Sequence, residues 1–316
     1  MKVQFSSDAL AQPDAFRHLT SMAWMFLDGR HHWVIEDLKG VKSSRWLADE
    51  GPFNHRLFGE FADKAARRTH RADLLVSPIH PGGSCIDKDD NWHVSADLAA
   101  GALLAPLLII VENAKCDGAF LRRVMLRVGE RRLKRHLGDD GFERLKERWS
   151  SPLGDGEWLA VRHGGGSTTG TQVELAAEVG LIATRRILVL VDSDYAGPNA
   201  KLGPTASNVK KVCDELKASQ PRLQLHIRIL TKREVENYIP REALRQYNTR
   251  GFARWEQLAE QDRDFADLKE IFNDKLWRVF IDDAHSAHFH ERSLRERAGG
   301  DGSELDAIVA DLVAFL

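Results

Sequence analysis

Arg186-Ile-Leu-Val-Leu-Val-Asp-Ser-Asp194 decides the fold of this chain. Ile187 to Val191 form the unbroken apolar, β-branched-rich run expected of a parallel strand covered on both faces. Ligands of open α/β sheets bind just beyond the carboxyl ends of such strands, where Asp192 and Asp194 fall. Two positions apart in extended backbone, both side chains point the same way and can share one hard cation. Without a cation or hydrogen-bond donors, two like charges in such a crevice repel each other at considerable cost. The structural alternative is that Asp192 caps the following turn while Asp194 is solvated.

The pattern of an apolar strand ending in acids recurs on either side. Upstream, Leu103 to Val111 is strongly apolar and runs into Glu112-Asn113. Downstream, Leu223 to Leu230 alternates like a strand before Thr231-Lys232-Arg233-Glu234-Val235-Glu236-Asn237-Tyr238. In a parallel doubly wound sheet these ends line one edge, so Glu112, Asp192, Asp194, Glu234 and Glu236 converge. Such a set calls for divalent cations, which neutralise it and can clamp a phosphodiester.

Other segments have weaker readings. A helix carries Phe120, Leu121, Val124, Met125 and Val128 on one face; Arg122, Arg123, Arg127, Arg131, Arg132, Lys134 and Arg135 read as its basic face, solvated or phosphate-contacting. Trp158 to Val161 reads as a strand entering the glycine-rich turn His163-Gly-Gly-Gly-Ser-Thr-Thr-Gly170, with a helix over 172–179. Such a turn lets backbone approach a partner closely, but no Gly-Lys-Ser/Thr follows, so it is not a Walker A loop. Asn208 to Ala218 reads as an amphipathic helix. The first hundred residues show helices near Ala15 to Leu27 and Leu57 to Arg71 and a turn-rich Ser77-Pro-Ile-His-Pro-Gly-Gly-Ser84, without legible chemistry. His31, His32 and His80 there, and His285, His288 and His290 near the other end, read chiefly as structural.

Length and composition bound the rest. With 316 residues, 43% hydrophobic and 29% charged, the chain suits two domains or one large α/β domain. A formal charge of −2 gives no global attraction to nucleic acid, so such binding needs a local basic face. Three scattered cysteines argue against a disulfide framework and a thiolate zinc site. No apolar run reaches the roughly 18 residues a membrane span needs, and no signal-peptide core opens the sequence; a cytoplasmic protein off the membrane is expected.

These residues resemble the TOPRIM domain of topoisomerases, bacterial primases and OLD-type nucleases. The family's first motif, an apolar strand ending in Val-Glu-Gly, stands here as Ile110-Val111-Glu112-Asn113, with asparagine for the glycine. Asp117 follows the glutamate by five positions where the nucleases have an acid after four, implying an insertion or another role. Asp192-Ser193-Asp194 matches the second motif, and Lys232 to Tyr238 looks like the Glu-Asn-Tyr segment of OLD-like nucleases, the discriminating match. A topoisomerase needs a DNA-cleaving tyrosine on a separate domain, and a primase needs a zinc module. The nuclease branch remains.

The resemblance implies a Rossmann-type, mainly parallel α/β sheet flanked by helices over 105–240, an N-terminal accessory region over 1–104 and a helical C-terminal extension over 241–316. It further implies hydrolysis of DNA or RNA with Mg2+ or Mn2+ on Glu112, Asp192 and Asp194, a second ion helped by Asp117, Glu234 or Glu236, and Lys232 or Arg233 offsetting phosphate charge. Because no ATPase is encoded here, a separate NTPase or sensor partner is expected, as in antiviral defence systems, and a homo-oligomer is compatible. Two rivals stand beside it. One is a haloacid-dehalogenase-type phosphatase with Asp192 as nucleophile, Asp194 as acid, Thr231 on phosphate and Asp282-Asp283 on Mg2+ after a strand Val279 to Ile281. The other is a non-catalytic TOPRIM binding or assembly module.

Overall fold

The structure, a computed structural model, describes every residue except 30, 68–71, 89–90, 179–185, 198, 221–222, 300–302 and 316. The expected helix ends at Arg71 and Val179 lie outside the described residues. The chain divides into two compact units, Met1–Ala105 and Pro106–Phe315.

The first unit holds a sheet where the sequence showed only helices and turns. Its strands are β1 (Lys2–Phe5), β2 (His32–Val34), β3 (Leu74–Val76), β4 (Ser84–Ile86) and β5 (Trp92–Val94), in the order β2-β1-β3-β5-β4. Only β4 runs antiparallel to its neighbour. Strands of three or four residues are too short to display a period of two, which is why they escaped the sequence pattern. Helices Phe16–Leu27, Pro52–Ala65 and Ala96–Leu104 accompany the sheet. Phe5, Phe26, Trp33, Trp46 and Phe58 form an aromatic core. His31 is buried with Nε2 2.9 Å from the Leu103 carbonyl oxygen, a structural role.

The second unit is built on β6 (Leu107–Val111), β7 (Leu159–His163), β8 (Arg186–Val191) and β9 (Gln224–Ile229), all parallel in the order β7-β6-β8-β9. Every residue of the two central strands, β6 and β8, is buried, as their continuous apolar runs require. Helices Thr169–Glu178 and Pro204–Ser219 cover one face, with Val173, Ala176, Val209 and Val212 against Ile110, Val189 and Val191. Helix Ala114–Arg127 follows β6, and its Phe120 packs on Tyr238 and Phe280. The segment expected as a C-terminal extension packs within this unit: Arg228 of β9 pairs with Asp311, and Arg186 of β8 donates to the Phe315 carbonyl at 2.6 Å.

The strand order creates the crevice. From β6 the chain passes to β7 on one side, whereas from β8 it passes to β9 on the other. The two connections diverge, leaving an opening beyond the adjacent ends of β6 and β8.

The basic stripe read after β6 is not a single face. Arg123 is buried, donating to the Phe280 carbonyl at 2.8 Å and to Ser286 Oγ at 3.2 Å. Arg122 donates to the Trp149 carbonyl. The chain turns at Gly129, so Arg131, Arg132, Lys134 and Arg135 sit on a second helix, Glu130–Arg148. Among the described residues no helix is long and apolar enough to cross a membrane.

Candidate functional site

The two central strands end on each other. Glu112, first residue past β6, accepts at Oε1 the backbone N–H of Asp192, first residue past β8, at 3.1 Å. Asp192 in turn accepts at Oδ1 the N–H of Val235 at 3.1 Å, which brings the segment after β9 to the same place. Asn113 caps the following helix, its Oδ1 accepting the Lys115 N–H at 3.1 Å, and Asp117 Oδ2 accepts the Asn113 N–H at 2.9 Å. Asn113 is therefore a helix cap. The acid one position late reaches back to it, as in a capping box.

Asp194 departs from the expected geometry. The strand stops at Val191, and Asp194 adopts a left-handed conformation with φ 53°, so the two aspartates are not successive side chains on one face of extended backbone. The turn satisfies its polar groups on the neighbouring segment: Ser193 Oγ donates to the Lys232 carbonyl at 2.8 Å, and Asp194 N–H to the Arg233 carbonyl at 3.1 Å. Asp194 still reaches the site electrostatically. Burial first, then its charge, raises Glu112 to about 7.

The remaining acids complete a cluster. Cys116 Sγ–H donates to Glu236 Oε1 at 3.4 Å, and Asp117 is pushed up to about 8 by burial, with Glu236 and Glu112 adding to the shift. Asp192 lies well above the usual carboxylate range because it is buried and faces Asp117, Glu236, Glu112 and Glu234. Burial likewise raises Glu234. Glu112, Asp117, Asp192, Asp194, Glu234 and Glu236, all named from sequence, thus share one region.

Lys269 was missed by sequence reasoning. Its Nζ lies 3.1 Å from Glu234 Oε2 and 3.9 Å from Glu236 Oε1, on the short helix Leu268–Ile271. Burial opposes its charge, yet Glu236 and Glu234 outweigh this and raise its pKa. A lone lysine in a polar segment carries no motif; only Asn237 hints at it. That amide donates to the carbonyls of Arg263 at 3.3 Å and Ala266 at 3.1 Å, holding the stretch from which Lys269 grows. The Glu-Asn-Tyr segment therefore divides its work: Glu236 enters the site, Asn237 tethers the lysine segment, and Tyr238 bonds Glu304.

Lys232 does not join the acids. It is buried beside Asp264, with its ammonium over the Tyr238 ring, and Asp264 also takes Arg297 at 2.5 Å. Backbone direction explains this, since the Lys232 carbonyl is bound by Ser193 and its N–H by Tyr238 Oη at 3.3 Å. Arg233, the other expected cation, pairs with Asp267 at 3.0 Å and also lies 3.9 Å from Glu234 Oε1, at the border of the cluster.

The glycine run borders Glu112. Gly164 N–H donates to the Val111 carbonyl at 2.6 Å and Gly165 N–H to that of Glu112 at 3.2 Å. Gly165 and Gly166 have φ of 77° and 57°, and a Cβ on Gly166 would lie 3.9 Å from Glu112 Oε2. Backbone without side chains therefore forms this wall.

The donor set is all oxygen, partly buried and mutually repelling, which suits a hard divalent cation. Among the described residues no closed set of three or more metal-ligating side chains is preformed; backbone N–H groups, Cys116 and Lys269 hold the acids instead. The histidines near the C-terminal end stand elsewhere: His288 Nε2 lies 2.6 Å from Gln246 Oε1, His290 caps the helix Glu291–Arg297, and His285 packs on Tyr247.

The phosphatase constellation is not assembled. Leu276–Phe280 is a 3-10 helix rather than a strand, Asp282 caps the turn after it, and Thr231 is bound through N–H and hydroxyl to the Glu304 carboxylate, each at 2.6 Å. An acid-bound threonine is no phosphate ligand. In comparisons with protein-family models, curated proteins and solved structures, nothing matches this chain.

Proposed function

We propose that the Pro106–Phe315 unit is a TOPRIM-like, metal-dependent nuclease hydrolysing phosphodiester bonds of DNA or RNA. The observation that carries this reading is the clasp of Glu112 on the Asp192 N–H at the switch point, with Asp117, Asp194, Glu234 and Glu236 gathered around it. Mg2+ or Mn2+ would be held by Glu112, Asp192 and Asp194, with Asp117, Glu234 and Glu236 contributing, and would supply charge for the phosphate and an activated water. The chain's own part is to fix these carboxylates on backbone donors, to keep one wall free of side chains at Gly164 to Gly166, and to hold a lysine ammonium at the Glu234–Glu236 side. Lys269 would thus join or replace Lys232 or Arg233 in the charge-offsetting role expected of them.

A separate NTPase or sensor would control such an effector, as in antiviral defence; co-purification from a native host tests this. The test of the activity is cleavage of plasmid DNA, single-stranded DNA and tRNA with Mg2+, Mn2+ or EDTA. Metal-dependent cutting is expected, with loss of at least about 100-fold in Asp192→Asn or Glu112→Gln. Cutting that survives either change rules the site out. Nucleic-acid binding without cutting under any metal favours the non-catalytic module, a reading to which the Lys269 bridge lends support.

A further inference from the structure

The first unit has a chemistry-bearing cluster of its own, in the turn-rich segment that the sequence left without a role. Its parallel strands β1, β3 and β5 are followed directly by Ser6, Ser77 and Ser95 on one carboxyl edge. Ser77 is fixed there by its N–H, which donates to the Val94 carbonyl at 2.9 Å. Its Oγ lies 2.8 Å from His93 Nδ1, and His93 Nε2 lies 3.0 Å from Asp87 Oδ2. Asp87 is held in turn by the N–H and side-chain amide of Asn91, both at 2.9 Å.

The geometry points to Ser77, His93 and Asp87 as a nucleophilic acyl-transfer site. A carboxylate only accepts hydrogen bonds, so Asp87 fixes the imidazole proton on Nε2 and leaves Nδ1 as an acceptor facing the Ser77 hydroxyl. That is the arrangement of nucleophile, base and orienting acid that activates a serine, recognised by roles rather than chain order. His93 is held on both sides within the sheet, paired with Leu75 of β3 and Cys85 of β4.

Ser77 lines a cavity of about 630 Å3 together with Pro78, Ile79 and Ser95, and with Arg17 and His18 on its wall. This volume lies in the range of small-molecule sites. His93 and Asp87 are not part of the lining, so the base stands behind the nucleophile and the substrate meets Ser77. The turn beyond Ser77 is tightly folded: Pro78 and Pro81 each fix one φ angle, Gly82 has φ 74°, and a Cβ on Gly83 would fall 2.7 Å from Ile79.

The substrate class is a small acyl ester. Ser77 Oγ attacks the carbonyl carbon while its proton passes to His93 Nδ1. The alcohol leaves with that proton as its C–O bond breaks. Water, deprotonated by the same imidazole, then releases the acid and restores Ser77.

The test uses the full chain in EDTA and a fluorophosphonate probe, with the adduct mapped by mass spectrometry. A covalent adduct on Ser77 is expected, absent in Ser77→Ala, slowed at least about 100-fold in His93→Gln and about tenfold in Asp87→Asn. Thermal melting checks that each variant is folded, and where His93→Gln is not, Asp87→Asn carries the comparison. Absence of an Ser77 adduct in the wild-type chain, or a labelling rate unchanged by the folded variants, overturns the assignment.

Discussion

Lys269 Nζ sits 3.1 Å from Glu234 Oε2, so the acid cluster contains a cation supplied by the chain itself. Replacing it by methionine removes that charge and keeps the stem. Because the lysine is partly exposed, the pair is worth less than a fully buried one, and a loss of about 1–2 kcal/mol in the metal-free protein is expected. Calorimetric titration with Mn2+ should show tighter binding or an added equivalent in Lys269→Met. Unchanged affinity and stoichiometry would mean the lysine does not compete with metal.

Stability without metal should fall as pH rises. Glu112 moves from an ordinary 4.5 to about 7 on folding and Asp117 from 3.8 to about 8, so the folded chain binds more protons than the unfolded one between these values. A raised carboxylate pKa favours the fold fully below the unfolded value and loses that contribution as pH climbs through the folded one. In EDTA a fall in Tm of about 5 °C is expected between roughly pH 6 and 8.5, and a smaller one in millimolar Mg2+. Equal slopes in the two media would separate the acids from metal binding.

Asp192→Asn should trade activity for stability. The amide oxygen can still accept the Val235 N–H, while the repulsion that ionising Asp192 among four other carboxylates brings can no longer arise. A Tm gain of a few degrees in EDTA, near about pH 8, should accompany loss of Mn2+ binding and of cleavage. A destabilised Asp192→Asn protein would show the repulsion to be unimportant.

Gly203→Ala tests Asp194 from behind. The added methyl would stand 2.5 Å from Asp194 Cβ and 3.0 Å from its Oδ2, so the aspartate must move. A cost of about 1–3 kcal/mol is expected, with cleavage and metal affinity falling further than stability explains. Wild-type metal affinity in this variant would remove Asp194 from the ligand set.

Lys232→Met should report on folding alone. Asp264 keeps Arg297, so the loss is about 2 kcal/mol, below that of a buried acid left alone. Cleavage per folded molecule should stay within about twofold. A folded variant that no longer cuts would restore Lys232 to the chemistry.

The acids were legible because each follows an apolar strand, a pattern that fixes both the element and its end. Ile187 to Val191 is a strand as its apolar run alone indicates, whereas the run Leu103 to Val111 begins too early: Leu103 and Leu104 end the helix Ala96–Leu104, and the strand starts at Leu107. What escaped was set by non-local contacts. The left-handed turn at Asp194 answers to the distant carbonyls of Lys232 and Arg233, Lys232 turns away because Ser193 and Tyr238 hold its backbone, and Lys269 arrives through hydrogen bonds made by Asn237. The first unit escaped for another reason: its strands are too short to leave a period, and its Ser77–His93–Asp87 contacts cross strands that no pattern announced.

The position of Lys269 also bears on the order in which the molecule can be assembled. Every acid of the cluster precedes it in the chain, and the last strand of the sheet is complete at Ile229. A polypeptide growing from its N-terminal end therefore has all its strands before it has the cation that steadies their edge. Until the stretch tethered by Asn237 emerges, the sheet must keep its carboxylates protonated, borrow an ion, or wait.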